Sequence, residues 1–397
     1  MVNFVFLSVY FYSVPNLRFT NNQLKDFKIV DICKLKQGNQ YDLKQQFTEE
    51  KSDLKRFIRI VDYTQKTNDI RYVYSNGSEN YVDCTDVVVV RYGASAGYVG
   101  RGINGIIANN LFTIRPINSA LLNKSYLYHY LNAPVIQKQL NNTQSSGMPA
   151  LNFQTINNLH ILLPEYQEQR QIAVFLDKID ERIQTQIKII NALDSQRKCI
   201  FLKVHRAQSL KKIKIFELGR MIAANNLSKD ELSIKGNECI LYGELFTKYN
   251  LYIDNVISKT EKIDNAIISS GNDILFPTST TVDAFSLIKP SALIKKGVIL
   301  GGDMFSIKLK DDYNPIYISC LINFIYRKKF ASKTQGSTII HLHYRDIKNE
   351  VIEICDYEIQ CKIANLIESI TEKLKVEEEL LNLLYIQKSY LLQNMFI

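Results

Sequence analysis

Residues 165–193 read EYQEQRQIAVFLDKIDERIQTQIKIINAL, and residues 356–384 read DYEIQCKIANLIESITEKLKVEEELLNLL. Shifting the chain by 191 residues lays Leu151–Val204 on Leu342–Met395 without a gap. Over Glu165–Val204 nine of forty positions are identical: Tyr166, Gln169, Ile172, Ala173, Ile179, Glu181, Asn191, Leu193 and Gln196. Ordinary composition would give roughly two or three by chance. Many other positions are conservative, such as Leu176/Ile367 and Ile183/Leu374. One helix is written twice.

The spacing of its apolar residues says what the helix buries. In the first copy they run Ile172, Leu176, Ile179, Ile183, Ile190, Leu193, Ile200 and Val204, in steps of three and four. In the second, Ile363, Ile367, Ile370, Leu374, Leu381 and Leu384 repeat the pattern, and polar Gln186, Arg197, Glu377 and Lys388 interrupt it at matching places. This is a heptad seam about 60 Å long at about 1.5 Å per residue. The first copy follows Leu163-Pro164 and carries Glu165 and Glu168 near its positive end. One such helix could pack on its own lobe; two in register point to pairing with each other. About ten residues separate Val204 from the next strand pattern, so the second helix meets the first only by running back. The expectation is an antiparallel two-helix coiled coil serving as a spacer.

Weaker echoes lie upstream at nearly the same offset. FKIVDICK (27–34) matches IKIFELGR (213–220), DVVVVRYG (86–93) matches DILFPTST (273–280), LFTIR (111–115) matches MFSIK (304–308), and YLYHYLN (126–132) matches YISCLIN (317–323). Short β-branched runs (Asp86–Val90, Leu111–Ile114, Ile274–Phe276, Met304–Ile307) alternate with Gly, Asn and Ser clusters, as strands and turns do. A helical pattern, Leu121–Leu140, interrupts the first lobe. The expected fold is α+β, a pseudo-two-fold repeat of two mixed lobes separated by the helix pair. The expected boundaries are an N-terminal extension (1–26), a first lobe (27–163), a first helix (164–205), a second lobe (206–354) and a second helix (355–397).

The formal net charge is +9. Residues 1–164 carry +6 and 205–355 carry +5, against +1 for 165–204 and −3 for 356–397. The excess sits on the lobes, which suits a polyanion touched at two places, such as double-stranded DNA. Seven cysteines, an odd number with no CxxC, argue against a disulfide framework and for a reducing, cytoplasmic location. The apolar start, MVNFVFLSVYFYSVP (1–15), is too short to span a membrane and has no basic lead, so it reads as an extra strand or an upstream start.

Taken with PNLRF (15–19) leading to FKIVDICKLKQGN (27–39), the stretches GMPALNFQTINNLHILLPEYQEQRQIAVFLDKIDERI (147–183) and its degenerate copy GSTIIHLHYRDIKNEVIEICDYEIQCKIANLIESITEKL (336–374) resemble specificity subunits of type I restriction–modification systems. The ending YIQKSYLLQNMF (385–396) is similar too. The resemblance implies two target-recognition domains, each reading half of a split DNA site. It implies that two conserved helices set the gap and dock two adenine-methyltransferase subunits, and that restriction subunits join the complex. S-adenosylmethionine, ATP and Mg belong on that view to the partner subunits, and this chain is no enzyme. The chain departs from the family pattern in having Phe27 where a Trp often opens the domain, and Cys355 in place of a proline before the second helix.

The residues agree that catalysis lies elsewhere. Asn132-Ala133-Pro134-Val135 lacks the second proline and the aromatic ring of a clamp for a flipped adenine. No GxxxxGK[ST] loop occurs, and GASAG (93–97) lacks the following Lys-Ser/Thr. His341 and His343 share a strand face without a Cys or carboxylate partner at ligand spacing, so no metal site is expected. The competing readings are a coiled-coil interaction scaffold without DNA recognition and a fused enzyme.

Base edges are read by Arg, Lys, Asn, Gln, Ser and Thr on loops at a groove. The candidates fall on three pairs of loops. RYGASAGYVGR (91–101) offers Arg91, Tyr92, Ser95, Tyr98 and Arg101 opposite PTSTTVDAF (277–285) with Thr278, Ser279, Thr280 and Thr281. LKQGNQ (35–40) offers Lys36, Gln37 and Asn39 opposite MIAANN (221–226) with Asn225 and Asn226. TQSSGM (143–148) offers Ser145 opposite KTQGST (333–338) with Lys333, Gln335 and Ser337. The loops differ in residue type while the helices agree, so the two half-sites are expected to differ.

Overall fold

The computed structural model describes residues 24–65, 68–141, 150–224, 227–264 and 266–396. The apolar start, Ser145 with the whole of its loop (143–148), and Asn225 and Asn226 lie outside the described residues. The chain packs as two compact units, one formed by residues up to Ile187 with those from Glu379 onward, the other by Lys188–Glu378.

In the first unit, β1 (Lys25–Lys28) pairs antiparallel with β6 (His160–Leu163), Phe27 opposite Ile161. A four-stranded sheet runs β2 (Cys33–Gln37), β5 (Leu111–Pro116), β3 (Val87–Val90), β4 (Val99–Gly100). The four valines of β3 are all buried because the sheet is covered on both faces. Val87 and Val89 join the core under the helices, while Val88 and Val90 face a second core with Ile58 and Ile107. A second four-stranded sheet uses Leu54–Ile58, Arg71–Tyr74, Tyr81–Val82 and Gly105–Ile107. The Leu121–Leu140 pattern resolves into two helices, α1 (Lys124–Leu131) and α2 (Pro134–Asn141). Pro134 lacks the N–H needed to continue the first helix and opens the second. A short helix, α3 (Phe153–Asn157), precedes β6 and the long α4 (Tyr166–Arg206).

The second unit repeats this order. β7 (Lys211–Lys214) pairs with β15 (Val351–Ile354), Ile213 opposite Ile352. A five-stranded sheet runs β8 (Gly219–Ala223), β13 (Met304–Leu309), β10 (Asp273–Pro277), β12 (Ser291–Leu293), β9 (Tyr252–Ile253). A small sheet joins β11 (Ser279–Thr280) to β14 (Ile340–His341), and a further five-stranded sheet lies alongside. The helices α5 (Pro315–Leu321), α6 (Tyr344–Ile347) and α7 (Tyr357–Met395) stand where α1, α3 and α4 stand in the first unit. Registers agree as well: Leu35 faces Ile114 as Met221 faces Ile307, and Val89 faces Phe112 as Phe276 faces Phe305.

Both long helices take part in both cores. Ile172, Leu176, Ile179 and Ile183 of α4 are buried in the first unit with Leu384, Leu391, Leu392 and Met395 of α7. In the second unit Phe201 of α4 is buried with Ile363, Ala364 and Ile367 of α7. The helices therefore pack on the lobes as well as on each other. Ile370 and Leu381 are only half-buried, as are Ile190, Leu193 and Ile200. At the end of α4 the buried residue is Phe201, one position from the expected Ile200, because the helix there leans into the second lobe's core around Tyr317. No helix among the described residues is long and apolar enough to cross a membrane.

Candidate nucleic-acid interface

Two of the three loop pairs are assembled by main-chain bonds, and in the same way in each unit. In the first, Arg91 follows β3: its N–H donates to Asn110 O (2.8 Å), and its carbonyl accepts from Leu151 N (2.8 Å). In the second, Thr278 follows β10: its N–H donates to Asp303 O (2.9 Å), and its carbonyl accepts from Leu342 N (2.9 Å). Bridges Tyr92–Ala150 and Ser279–His341 extend the two junctions. Gly38 N to Leu111 O (2.9 Å) and Ala224 N to Met304 O (3.2 Å) hold the 35–40 loop and the equivalent stretch ending at Ala224 beside the two junctions. The upstream echoes in the sequence are thus equivalent positions in space.

The side chains differ. Arg91 donates to Gln37 Oε1 at 2.7 Å, and its guanidinium lies 4.8 Å from the Tyr92 ring and 4.3 Å from that of Phe153. Gln37 donates in turn to Asn109 O at 2.7 Å. Lys36 Nζ reaches Glu79 O (3.1 Å), and Asn39 Oδ1 accepts from Asn80 N (2.8 Å), so both brace the loop around residues 78–80. Ser95 closes the turn through its carbonyl to Tyr98 N (3.0 Å), and the Tyr98 ring stands exposed. In the second unit Ser279 Oγ lies 3.4 Å from Asp303, Thr280 Oγ1 accepts from Val282 N (3.2 Å), and Thr281 is exposed. Gln335 pairs through its main chain with His341, Lys333 bonds Glu350 at 2.7 Å, and Ser337 is exposed. His341 and His343 stack with centroids 6.2 Å apart.

Arg101 is placed apart from the others. It donates to Asp177 Oδ1 (2.5 Å) on α4 and Ser125 Oγ (2.6 Å) and stacks 3.9 Å over Tyr128. His129 Nε2 meets the same carboxylate at 2.8 Å. Burial alone would raise the Asp177 pKa. The hydrogen bonds from His129, Arg101 and Ser125 outweigh it and hold the group well below the usual carboxylate range. Burial also lowers the His129 pKa. His129, Asp177 and Asp180 lie close enough to share a cation, but Arg101 lies against both carboxylates and Lys388 bonds Asp180 at 2.5 Å. The cluster is an anchor between the first lobe and its helices. Asp177 escaped the sequence reading because a charged residue on an exposed helix pattern looks like a solvated one, and His129 because nothing local marks its partner 48 residues away.

A twofold repeat, each copy a mixed lobe ending in a long helix, defines the class of fold. A family model described as the type I restriction modification DNA specificity domain matches residues 21–195 and again 210–385. The chain belongs to this family. The type I restriction enzyme MjaVIII specificity subunit of Methanocaldococcus jannaschii is 28% identical over 202 residues, 49% of this chain and 44% of that protein, so the chain matches less than half of that relative's length. The fold is similar to the type I restriction–modification S subunit from M. genitalium, with a TM-score of 0.57 and 16% identity over 97% of this chain and 99% of that one. It is also similar to a chain from a structure described as the basis of complex assembly and conformational transition of the type I system, with a TM-score of 0.53 and 12% identity over 94% and 97% of the two chains.

Proposed function

We propose that the chain is the DNA sequence-specificity subunit of a type I restriction–modification complex. Each lobe reads one half of a split, asymmetric site, and the two long helices set the gap and dock two adenine-methyltransferase subunits. The chain performs no chemistry; methylation and cleavage belong to partners that carry S-adenosylmethionine, ATP and Mg. The observation that carries this reading is the duplicated junction: Leu151 on Arg91 and Leu342 on Thr278 bring the same loops together behind different side chains. A repeated frame with unlike loops suits two unlike half-sites.

The spacer role draws support from the order of two helix contacts. Asp180 meets Lys388, and Arg197 meets Thr371. The partner's number falls as that along α4 rises, as in an antiparallel pair.

Co-expression with an adenine-methyltransferase subunit of a type I system from the same source, followed by mapping of modified adenines, tests the proposal. One asymmetric split motif is expected. Exchanging residues 27–150 for another family member's lobe should change one half alone. Inserting a whole heptad in α4 should change the gap, and an unchanged gap would remove the spacer role.

A further inference from the structure

Among the arginines described in the first lobe, Arg56, Arg59, Arg71, Arg101 and Arg115 each lie within ion-pair distance of a carboxylate. Arg91 has no carboxylate partner among the described residues. It is nevertheless held firmly. Its main chain is fixed on both sides by Asn110 and Leu151, and its guanidinium is pinned by Gln37 and the rings of Tyr92 and Phe153. A cation kept rigid yet uncompensated, between the polar loops Lys36–Asn39 and Tyr92–Ser95, is set up for an acceptor from outside the chain. Rigidity matters because an arginine already fixed in its rotamer gives up little freedom when it binds.

Resting on the reading of the chain as a specificity subunit, we infer that Arg91 reads a guanine in the half-site recognised by the first lobe, with Gln37 as its positioning residue. Guanine presents O6 and N7 side by side in the major groove, a pair of acceptors matched to two donors of one guanidinium. Gln37 has the positioning role because its carbonyl accepts from Arg91 while its amide is anchored on Asn109 O. The register-equivalent positions of the second lobe carry Thr278 for Arg91, Ala223 for Gln37 and Tyr344 for Phe153. That junction carries Thr278 in place of the arginine, so a guanine read from this position belongs to the half-site of the first lobe.

The test is selection from a randomised duplex pool by the purified complex of the full chain with its co-expressed methyltransferase. The wild-type motif should contain a G·C pair in one half that becomes degenerate in Arg91→Ala, with every other specified position retained. Discrimination at that position should fall by roughly 10- to 100-fold. Arg91→Gln should lose the same guanine and shift toward adenine, and Gln37→Ala should relax the same position less. An unchanged motif overturns the inference, as does equal weakening on all duplexes, the mark of a phosphate contact. Loss of all binding in every Arg91 variant, with the complex still assembled, also overturns it. A wild-type complex that selects no motif removes the specificity-subunit reading itself, and this inference with it.

Discussion

Arg197 on one long helix donates to Thr371 Oγ1 on the other at 3.0 Å, in an environment where both residues are almost wholly buried. Arg197 also bonds the exposed carboxylate of Asp194 one turn back, at 2.5 Å. Thr371 in turn donates to Ile367 O at 2.8 Å. The position equivalent to Arg197 is Lys388, and it reaches Asp180, the equivalent of Thr371, at 2.5 Å. The repeat keeps a cation reaching across between the helices in both units while changing what receives it.

Thr371→Val should destabilise the second unit by about 1–3 kcal/mol, because a buried guanidinium N–H loses its acceptor. Arg197→Met should cost less, since Thr371 keeps its bond to Ile367 and Asp194 is already in solvent. Urea unfolding of the two variants compares these directly. A larger loss for Arg197→Met would show that the charge stabilises more than the burial costs.

Gln169 and Gln360 occupy equivalent buried positions at the starts of the long helices. Each accepts from the N-cap N–H of a lobe helix, Asn123 and Asn314, both at 3.0 Å. Gln169 also donates to Leu121 O and Pro164 O, whereas Gln360 donates to Cys355 O. Replacing either by Leu strands buried main-chain groups, at about 1–3 kcal/mol for each group left unsatisfied. Gln169→Leu is expected to be the more damaging, measured by thermal and denaturant unfolding.

Acid should loosen the first unit through Asp177. Its folded pKa is depressed by His129, Arg101 and Ser125 against the opposing effect of burial. With the unfolded value near 3.9, its contribution is complete above about pH 5 and is lost as pH falls toward the lower folded value. Asp180, Lys388 and Arg101 face the same carboxylate region. Asp177→Asn should flatten the fall in stability between about pH 5 and pH 2, read from urea midpoints at each pH.

Burial separates two neighbours at the end of α4. Phe201 is fully buried beside Tyr317 and His205, whereas Ile200 is half-exposed. Phe201→Ala should cost about 3–5 kcal/mol, and Ile200→Ala far less. Equal losses would return Ile200 to the seam.

The amino-acid sequence by itself determined the repeat, the long helices and the positions of the main apolar strands. The reason is that a heptad period and a buried valine run are local patterns that a packed core must satisfy. The order of those strands in the sheets came from the tertiary structure. Equivalent loops were legible through the same offset, since main-chain register follows strand alignment. Tertiary structure alone decided which loop side chains are available. Arg91 and Arg101 are both arginines ten residues apart on one stretch, yet one is held by Gln37 with no carboxylate partner among the described residues and the other is tied to Asp177 on α4. Folding also shared each long helix between two cores and placed Phe201 rather than Ile200 in the second. Ion pairs and burial depend on chain segments far apart in number, and no local pattern encodes how those segments meet.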